Sequence, residues 1–244
     1  MNARVTLTHE SPGLAVITLP AAAPTAEFAA DLAGICQEIN FDTEIRAAVI
    51  TGSGPAFCRD AASSRKTPVT FSLAGPVASL NCPVIAAING DAAGIGLELA
   101  LACDIRISAR SARFSFPGIV RGQISADGAT QRLPRLVGRA KAIELMLTGE
   151  EITAAEALHI GLVSHIVPAK KGLEAALEMG RQMAGKATLA LKYCKEAVYK
   201  GLDMTLEQGL QLEGDLYFLL HTTGDRVEGI TAFKEKRKPK FKGK

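Results

Sequence analysis

The stretch Pro83–Asp104, PVIAAINGDAAGIGLELALACD, decides the fold. Val84-Ile85-Ala86-Ala87-Ile88 is a short, wholly apolar run bounded by Pro83 and by Asn89-Gly90, which is how a strand buried on both faces reads. A glycine-rich turn follows (Gly90, Gly94, Gly96), and then Leu97–Ala102, built almost wholly of strong helix formers. Strand, tight turn and helix together aim backbone N–H groups, backed by a helix N-terminus, at something negative. Glu98 is the only ionisable side chain on that helix. A carboxylate among leucines and alanines is either buried at a cost or lines a pocket. A dinucleotide fingerprint starting at Gly94 would need glycine where Leu99 stands. Neither the Gly-Lys-Ser/Thr of a P-loop nor the G-x-S-x-G of a nucleophile elbow is present. What remains is an anion or oxyanion site with a carboxylate beside it.

Outward from this stretch the pattern repeats. Leu14–Leu19, Ala47–Thr51 and Ile105–Ala109 read as further buried strands. Residues 26–40 place Phe28, Leu32, Ile35 and Ile39 on one face of a helix. A helix is expected over 73–81 and another over 139–147, while Thr153-Ala154-Ala155-Glu156 is a capping box for a helix ending at Gly161. Leu162–Val167 reads as the last strand, and everything beyond about residue 170 as helical. Near-continuous apolar strands separated by helices predict an α/β protein with largely parallel pairing. The polar run 58–72 reads as a surface loop.

Composition narrows the class. Of 244 residues, 48% are hydrophobic and 22% charged, as in soluble globular chains, and no apolar run approaches the roughly 20 residues that span a bilayer. The N-terminus lacks the order of a signal peptide. Five scattered cysteines (Cys36, Cys58, Cys82, Cys103, Cys194) without a C-x-x-C pair read as reduced thiols of a cytoplasmic protein, and the four histidines show no metal-ligand spacing. Residues 234–244 hold seven Lys/Arg against one Glu, a net +6 in a chain whose total is +3, so the remainder carries −3. That tail is either solvated or a phosphate grip. No basic stripe interleaved with aromatics points to nucleic acid.

Residues 83–104 resemble the crotonase (enoyl-CoA hydratase/isomerase) superfamily, whose members carry PVIAAVNG-x-A-x-G-G-G-x-E-L-A-x-x-CD here. AAVITGSGPAFC (47–58), TQRLPRLVGRAKAIELMLTGEEITAAEALHIGLVSHIV (130–167) and EGITAFKEKRKPKFKG (228–243) extend the likeness over roughly two-thirds of the chain. The resemblance implies a spiral of ββα units over residues 1–185, binding an acyl-CoA thioester, and a helical region over 186–244 that assembles a homotrimer or a hexamer of two trimers. No cofactor is implied beyond the coenzyme A of the substrate, and no metal, nucleic acid or membrane partner.

The family's chemistry needs two backbone N–H groups on the thioester oxygen, where an enolate develops; such donors are worth several kcal/mol. By position they are those of Ile95 and Arg59. Ile95 replaces the usual glycine, which narrows its backbone freedom and sets a bulky group near the thioester. CoA is expected along Arg59-Asp60-Ala61-Ala62, where the family has Ala-Gly-Ala-Asp, and Arg59 could grip a phosphate. Phe233 and Lys236 fall where the family's C-terminal segment touches CoA, often from a neighbouring subunit. Glu98 matches the first catalytic glutamate, an acid/base. The second should follow Pro117, but Gly118 stands there. Asp127 is the candidate substitute, with a helix N-cap as its other reading; Asp104 reads as structural. Three functions stay open: a hydratase- or isomerase-type lyase working through Glu98, a thioester hydrolase or decarboxylase on the same fold, and a pseudoenzyme that binds CoA without turnover.

Overall fold

A computed structural model describes residues 4–59 and 70–244. Two sheets share the chain. The larger has six strands: β1 (Thr6–Ser11), β2 (Leu14–Leu19), β3 (Ala47–Gly52), β5 (Val84–Ile88), β7 (Ile105–Ala109) and β10 (His165–Val167), in that spatial order. Only β1 and β2 pair antiparallel; every later neighbour is parallel. The smaller sheet orders β4 (Cys58–Arg59), β6 (Ala92–Ala93), β8 (Arg113–Ser115) and β9 (Ile152–Thr153). The chain therefore visits the large sheet, then the small one, then a helix, and repeats. β3–β4 leads to α2 (Ala74–Ala78), β5–β6 to α3 (Ile95–Ala102), and β7–β8 to a 3-10 turn over Pro117–Arg121 and then α4 (Ala129–Val137). This is a spiral of ββα units.

The strands β2, β3 and β5 are buried because nearly all of their side chains are apolar. Val84–Ile88 is fully buried, as are Ala47–Ile50 and all of β2 but Thr18. One face packs on α1 (Ala26–Phe41), whose Phe28, Leu32, Cys36 and Ile39 turn inward, and the other on Ala176 and Leu177 of α7 (Gly172–Ala184). Thr25 caps α1 by accepting from the Phe28 amide at 3.1 Å. Asn89 closes the β5 end: its Oδ1 accepts from Gly52 N–H (3.0 Å) and its Nδ2 donates to Gly54 O (2.8 Å), fixing the turn that feeds β4.

Beyond β10 the chain is helical: α7, α8 (Thr188–Gly201), α9 (Leu206–His221) and α10 (Gly224–Lys234). The expected boundary at 185/186 falls in the turn between α7 and α8. A half-buried ion pair fastens α8 to the sheet. Lys195 Nζ donates to Asp104 Oδ2 (2.8 Å) and to Cys82 O (3.0 Å), and the same Oδ2 accepts from Val84 N–H (2.7 Å). Asp104 is thus the structural residue its place after α3 suggests.

The basic tail folds back instead of trailing into solvent. Both oxygens of Asp225, itself 3% exposed, accept tail amides: Lys242 at 2.6 Å and Gly243 at 2.9 Å. Arg237 forks onto Glu228 at 2.6 and 2.9 Å, and that pairing holds the Glu228 carboxyl down at about 2. Cys36, Cys82 and Cys103 are buried free thiols, pushed up to about 12, 11 and 12 by loss of hydration.

Several elements are shorter than their sequence pattern. The expected 73–81 helix is one turn and a half, and the 162–167 strand pairs only from His165. Thr153 caps α6 (Ala154–His159) by accepting from Glu156 N–H at 3.1 Å, whereas a reciprocal capping box is found at Thr205 and Gln208.

Candidate active site

The site is built on the first turn of α3. Gly94, at φ 56°, reverses the chain out of β6 in a conformation that side chains disfavour. Gly96 then lies against β4 so closely that a Cβ there would sit 2.0 Å from Cys58 O. This approach brings the N-terminal amides of α3 alongside Arg59. Ile95 occupies the first helical position, where an amide has no partner within the helix. Asp91 O accepts from both Phe57 N–H (3.0 Å) and Cys58 N–H (3.4 Å), and β4 is the end strand of the small sheet, with its outer side unpaired among the described strands. The side chain of Ile95 is 5% exposed and packs into the main core.

Glu98 follows one turn later and is 4% exposed. Helical side chains lean back over the preceding turn, which carries the carboxylate towards the Ile95 end of α3. Its Oε1 accepts from Asp127 N–H (2.8 Å) and Ala129 N–H (3.1 Å), so it caps α4, whose own N-cap, Gly128, has no side chain to do so. Oε2 accepts no hydrogen bond from the described residues. Burial pushes the Glu98 carboxyl above its ordinary value; the two amides oppose that, the Asp127 charge adds to it and Arg132 lowers it. Arg106, missed in the sequence, anchors the far end of α3: its buried guanidinium donates to Cys103 O (2.6 Å), Ala100 O (3.4 Å) and Leu162 O (2.8 Å). A basic residue four positions past the end of α3 was the available signal.

The remaining expected site residues separate into groups. Asp127 lies beside Glu98, but its carboxylate turns to α2: Oδ1 accepts from the Ser72 hydroxyl (2.5 Å) and Oδ2 from Leu73 N–H (2.7 Å) and Ala74 N–H (2.8 Å). The reading of Asp127 as N-cap of α4 is therefore corrected: Gly128 is the N-cap of that helix, and the Asp127 carboxylate accepts instead from amides at the start of α2. The Arg59 side chain leans towards Asp91, with Nη1 3.6 Å from Oδ2, in a cavity of about 300 Å³ that Arg113 and Glu151 also line. Asp60, Ala61 and Ala62 lie outside the described residues. Phe233 is 85% exposed near the end of α10, and Lys236 follows it in a left-handed conformation at φ 55°. Gly118 sits in the 3-10 turn after Pro117. Among the described residues no group of His, Cys, Asp and Glu could hold a metal ion, and no helix is long and apolar enough to cross a membrane.

A ββα spiral carrying a buried glutamate beside the free amides of a helix start defines a class of thioester-handling proteins, and the comparisons agree. The sequence model of the enoyl-CoA hydratase/isomerase family matches residues 9–244. Over 83% of each chain, 41% of residues are identical to the 2,3-dehydroadipyl-CoA hydratase of Escherichia coli (strain K12). Identity is 38% over 89% of each chain with the (E)-benzylidenesuccinyl-CoA hydratase of Thauera aromatica. The crystal structure of an enoyl-CoA hydratase from Bacillus anthracis superposes with a TM-score of 0.92 at 36% identity, covering 98% of this chain and 99% of that one. The chain belongs to the enoyl-CoA hydratase/isomerase family, within the crotonase superfamily, whose members act on CoA thioesters.

Proposed function

We propose that this protein transfers a proton to and from the carbon skeleton of an acyl-CoA thioester with Glu98 as its single acid/base. The observation that carries this reading is the state of Glu98: nearly inaccessible, held by two amides through one oxygen, and raised in pKa by burial. A carboxylate tuned upward in this way is closer to the working pH of a general base. Ile95 N–H, with Arg59 N–H from the β4 edge, stabilises the thioester oxygen as an enolate. Glu98 Oε2 takes the proton from carbon as the electron pair moves to that oxygen, and returns it to the same or a conjugated carbon. The products are an exchanged substrate or one with a shifted double bond.

Two-carboxylate hydration is the less favoured course. Gly118 supplies no side chain, and both oxygens of Asp127 are already engaged. CoA would run along the segment starting at Arg59, with Phe233 and Lys236 contributed by a neighbouring copy. Exposed apolar side chains along the C-terminal helices, Leu206 (80%) and Phe218 (70%) among them, support assembly into a trimer or hexamer. Sedimentation of the purified protein as a monomer would remove that element.

The test is incubation with crotonyl-CoA in deuterated water beside Glu98→Gln. Deuterium uptake at carbon that the variant loses is the expected result. Release of free CoA thiol would favour the hydrolase reading. CoA binding with neither exchange nor turnover would favour the pseudoenzyme.

A further inference from the structure

Two carboxylates at the site cap each other's neighbours in a crossed arrangement. Glu98, on α3, caps α4; Asp127, at the start of α4, caps α2 and binds Ser72. An ordinary helix-capping Asp serves the helix it precedes. Asp127 instead reaches a segment more than fifty residues upstream, and the connection passes through one residue: its side chain holds Ser72–Ala74 while its amide holds Glu98 Oε1. Its carbonyl is also fixed, accepting from Arg132 Nη1 at 2.8 Å. Every polar atom of Asp127 is therefore in use: the amide towards α3, the carbonyl towards α4 and both carboxylate oxygens towards the segment entering α2.

We propose that Asp127 is a positioning residue that locks Glu98 to the segment entering α2, so that the pose of the acid/base and the placement of Ser72–Ala74 are set together. This rests on Glu98 being the acid/base. Ser72–Ala74 closely follow residues 60–69, and whatever moves them moves the Asp127 backbone and with it one oxygen of Glu98. The charged groups facing Glu98 are Asp127 and Arg132, both from the start of α4; α2 contributes none, and on β4 Arg59 turns to Asp91. Releasing the Asp127 amide from Glu98 Oε1 should make Glu98 ionise at higher pH, because that amide lowers the carboxyl more than the Asp127 charge raises it, a change that loss of a contact elsewhere would not produce.

The experiment uses the full-length protein and two variants, Asp127→Asn and Ser72→Ala. Infrared titration follows the protonated-carboxyl band of Glu98, assigned by its absence in Glu98→Gln, and deuterium exchange into crotonyl-CoA is measured across pH. Asp127→Asn should move the Glu98 titration upward and lower kcat by about a hundredfold with KM nearly unchanged, the size of effect that an ångström of misplacement produces. Ser72→Ala should lower kcat less and move the titration less, because the bonds from Leu73 and Ala74 remain. An unmoved titration with full activity in Asp127→Asn overturns the proposal. So does a kcat loss equal at every pH with an unmoved titration, which would make Asp127 a direct participant. If Asp127→Asn does not fold, Ser72→Ala decides, and wild-type kcat there overturns the lock. Should Glu98→Gln retain exchange, the acid/base reading fails, yet the infrared titration still reads the Asp127–Glu98 coupling on its own.

Discussion

Gly118→Glu tests whether the missing second carboxylate is what separates this site from a hydratase. Gly118 lies in the 3-10 turn Pro117–Arg121 without a left-handed φ. A Cβ built there meets Gln123 O at 3.3 Å and Gln123 Cβ at 3.6 Å, so the loop over 122–124 must yield by only a few tenths of an ångström. Replacing glycine where the backbone is already compatible gains about 0.4–1 kcal/mol from the unfolded chain, which offsets that crowding. The variant should fold with nearly wild-type stability. A second carboxylate able to handle the proton of an added water should raise hydration of crotonyl-CoA by about a hundredfold or more, the usual span of general acid–base assistance.

The assay is loss of the enoyl thioester absorbance, with hydroxyacyl-CoA identified by mass. Gly118→Gln supplies equal bulk without the acid and should stay at the wild-type rate. Adding Glu98→Gln to Gly118→Glu should remove the gain, since hydration then again has one carboxylate. A well-folded Gly118→Glu protein that hydrates no faster than wild type would refute the reasoning: the empty position would not be what limits water addition.

Two further outcomes follow from single side chains. The Glu98 carboxyl is raised by burial, so the folded protein holds that proton more tightly than the unfolded chain. Stability conferred by the neutral form is therefore present at low pH and lost as pH climbs from the unfolded value of 4.5 through the raised one. Glu98→Gln keeps an acceptor for the two amides but cannot ionise, so chemical denaturation should find it at least as stable as wild type at pH 7 and free of that slope; a larger deficit at pH 7 than at pH 4 would contradict this. Asp225→Ala removes the acceptor for two tail amides, each costing about 1–3 kcal/mol if left buried and unpaired. The tail should detach and its lysines become rapidly cleaved by trypsin, and unchanged cleavage would show that the Arg237–Glu228 fork suffices alone.

The large sheet was legible because its strands are long enough to carry a pattern. Val84–Ile88 and Ile105–Ala109 match the expected strands residue for residue. β1 was not, since Thr6–Ser11 alternates polar side chains at a half-covered edge and buries none of them. The small sheet could not be read either: β4, β6 and β9 are two residues each, below any periodicity, and exist because Gly96 lets α3 approach Cys58. At the site, sequence located Glu98 by its isolation among apolar neighbours and flagged Gly118 by its departure from the family. It could not foresee which helix Asp127 would cap. Capping signals are local in sequence, and this one is spent on a contact 53 or 54 residues away.

That misdirected cap bears on how one buried carboxylate can be both base and fastener. A glutamate among Leu97, Leu99 and Leu101 would lose its charge to desolvation if nothing answered it, and a neutral acid cannot accept a proton. Two amides on Oε1, the first turn of α3 and Arg132 restore part of the charge, while Asp127 pulls the other way. On the proposed reading, dividing the oxygens resolves the conflict: Oε1 carries the structural bonds, which need not break during turnover, and Oε2 would exchange the proton. A second catalytic carboxylate close by would raise Glu98 further, by the same repulsion that Asp127 already exerts.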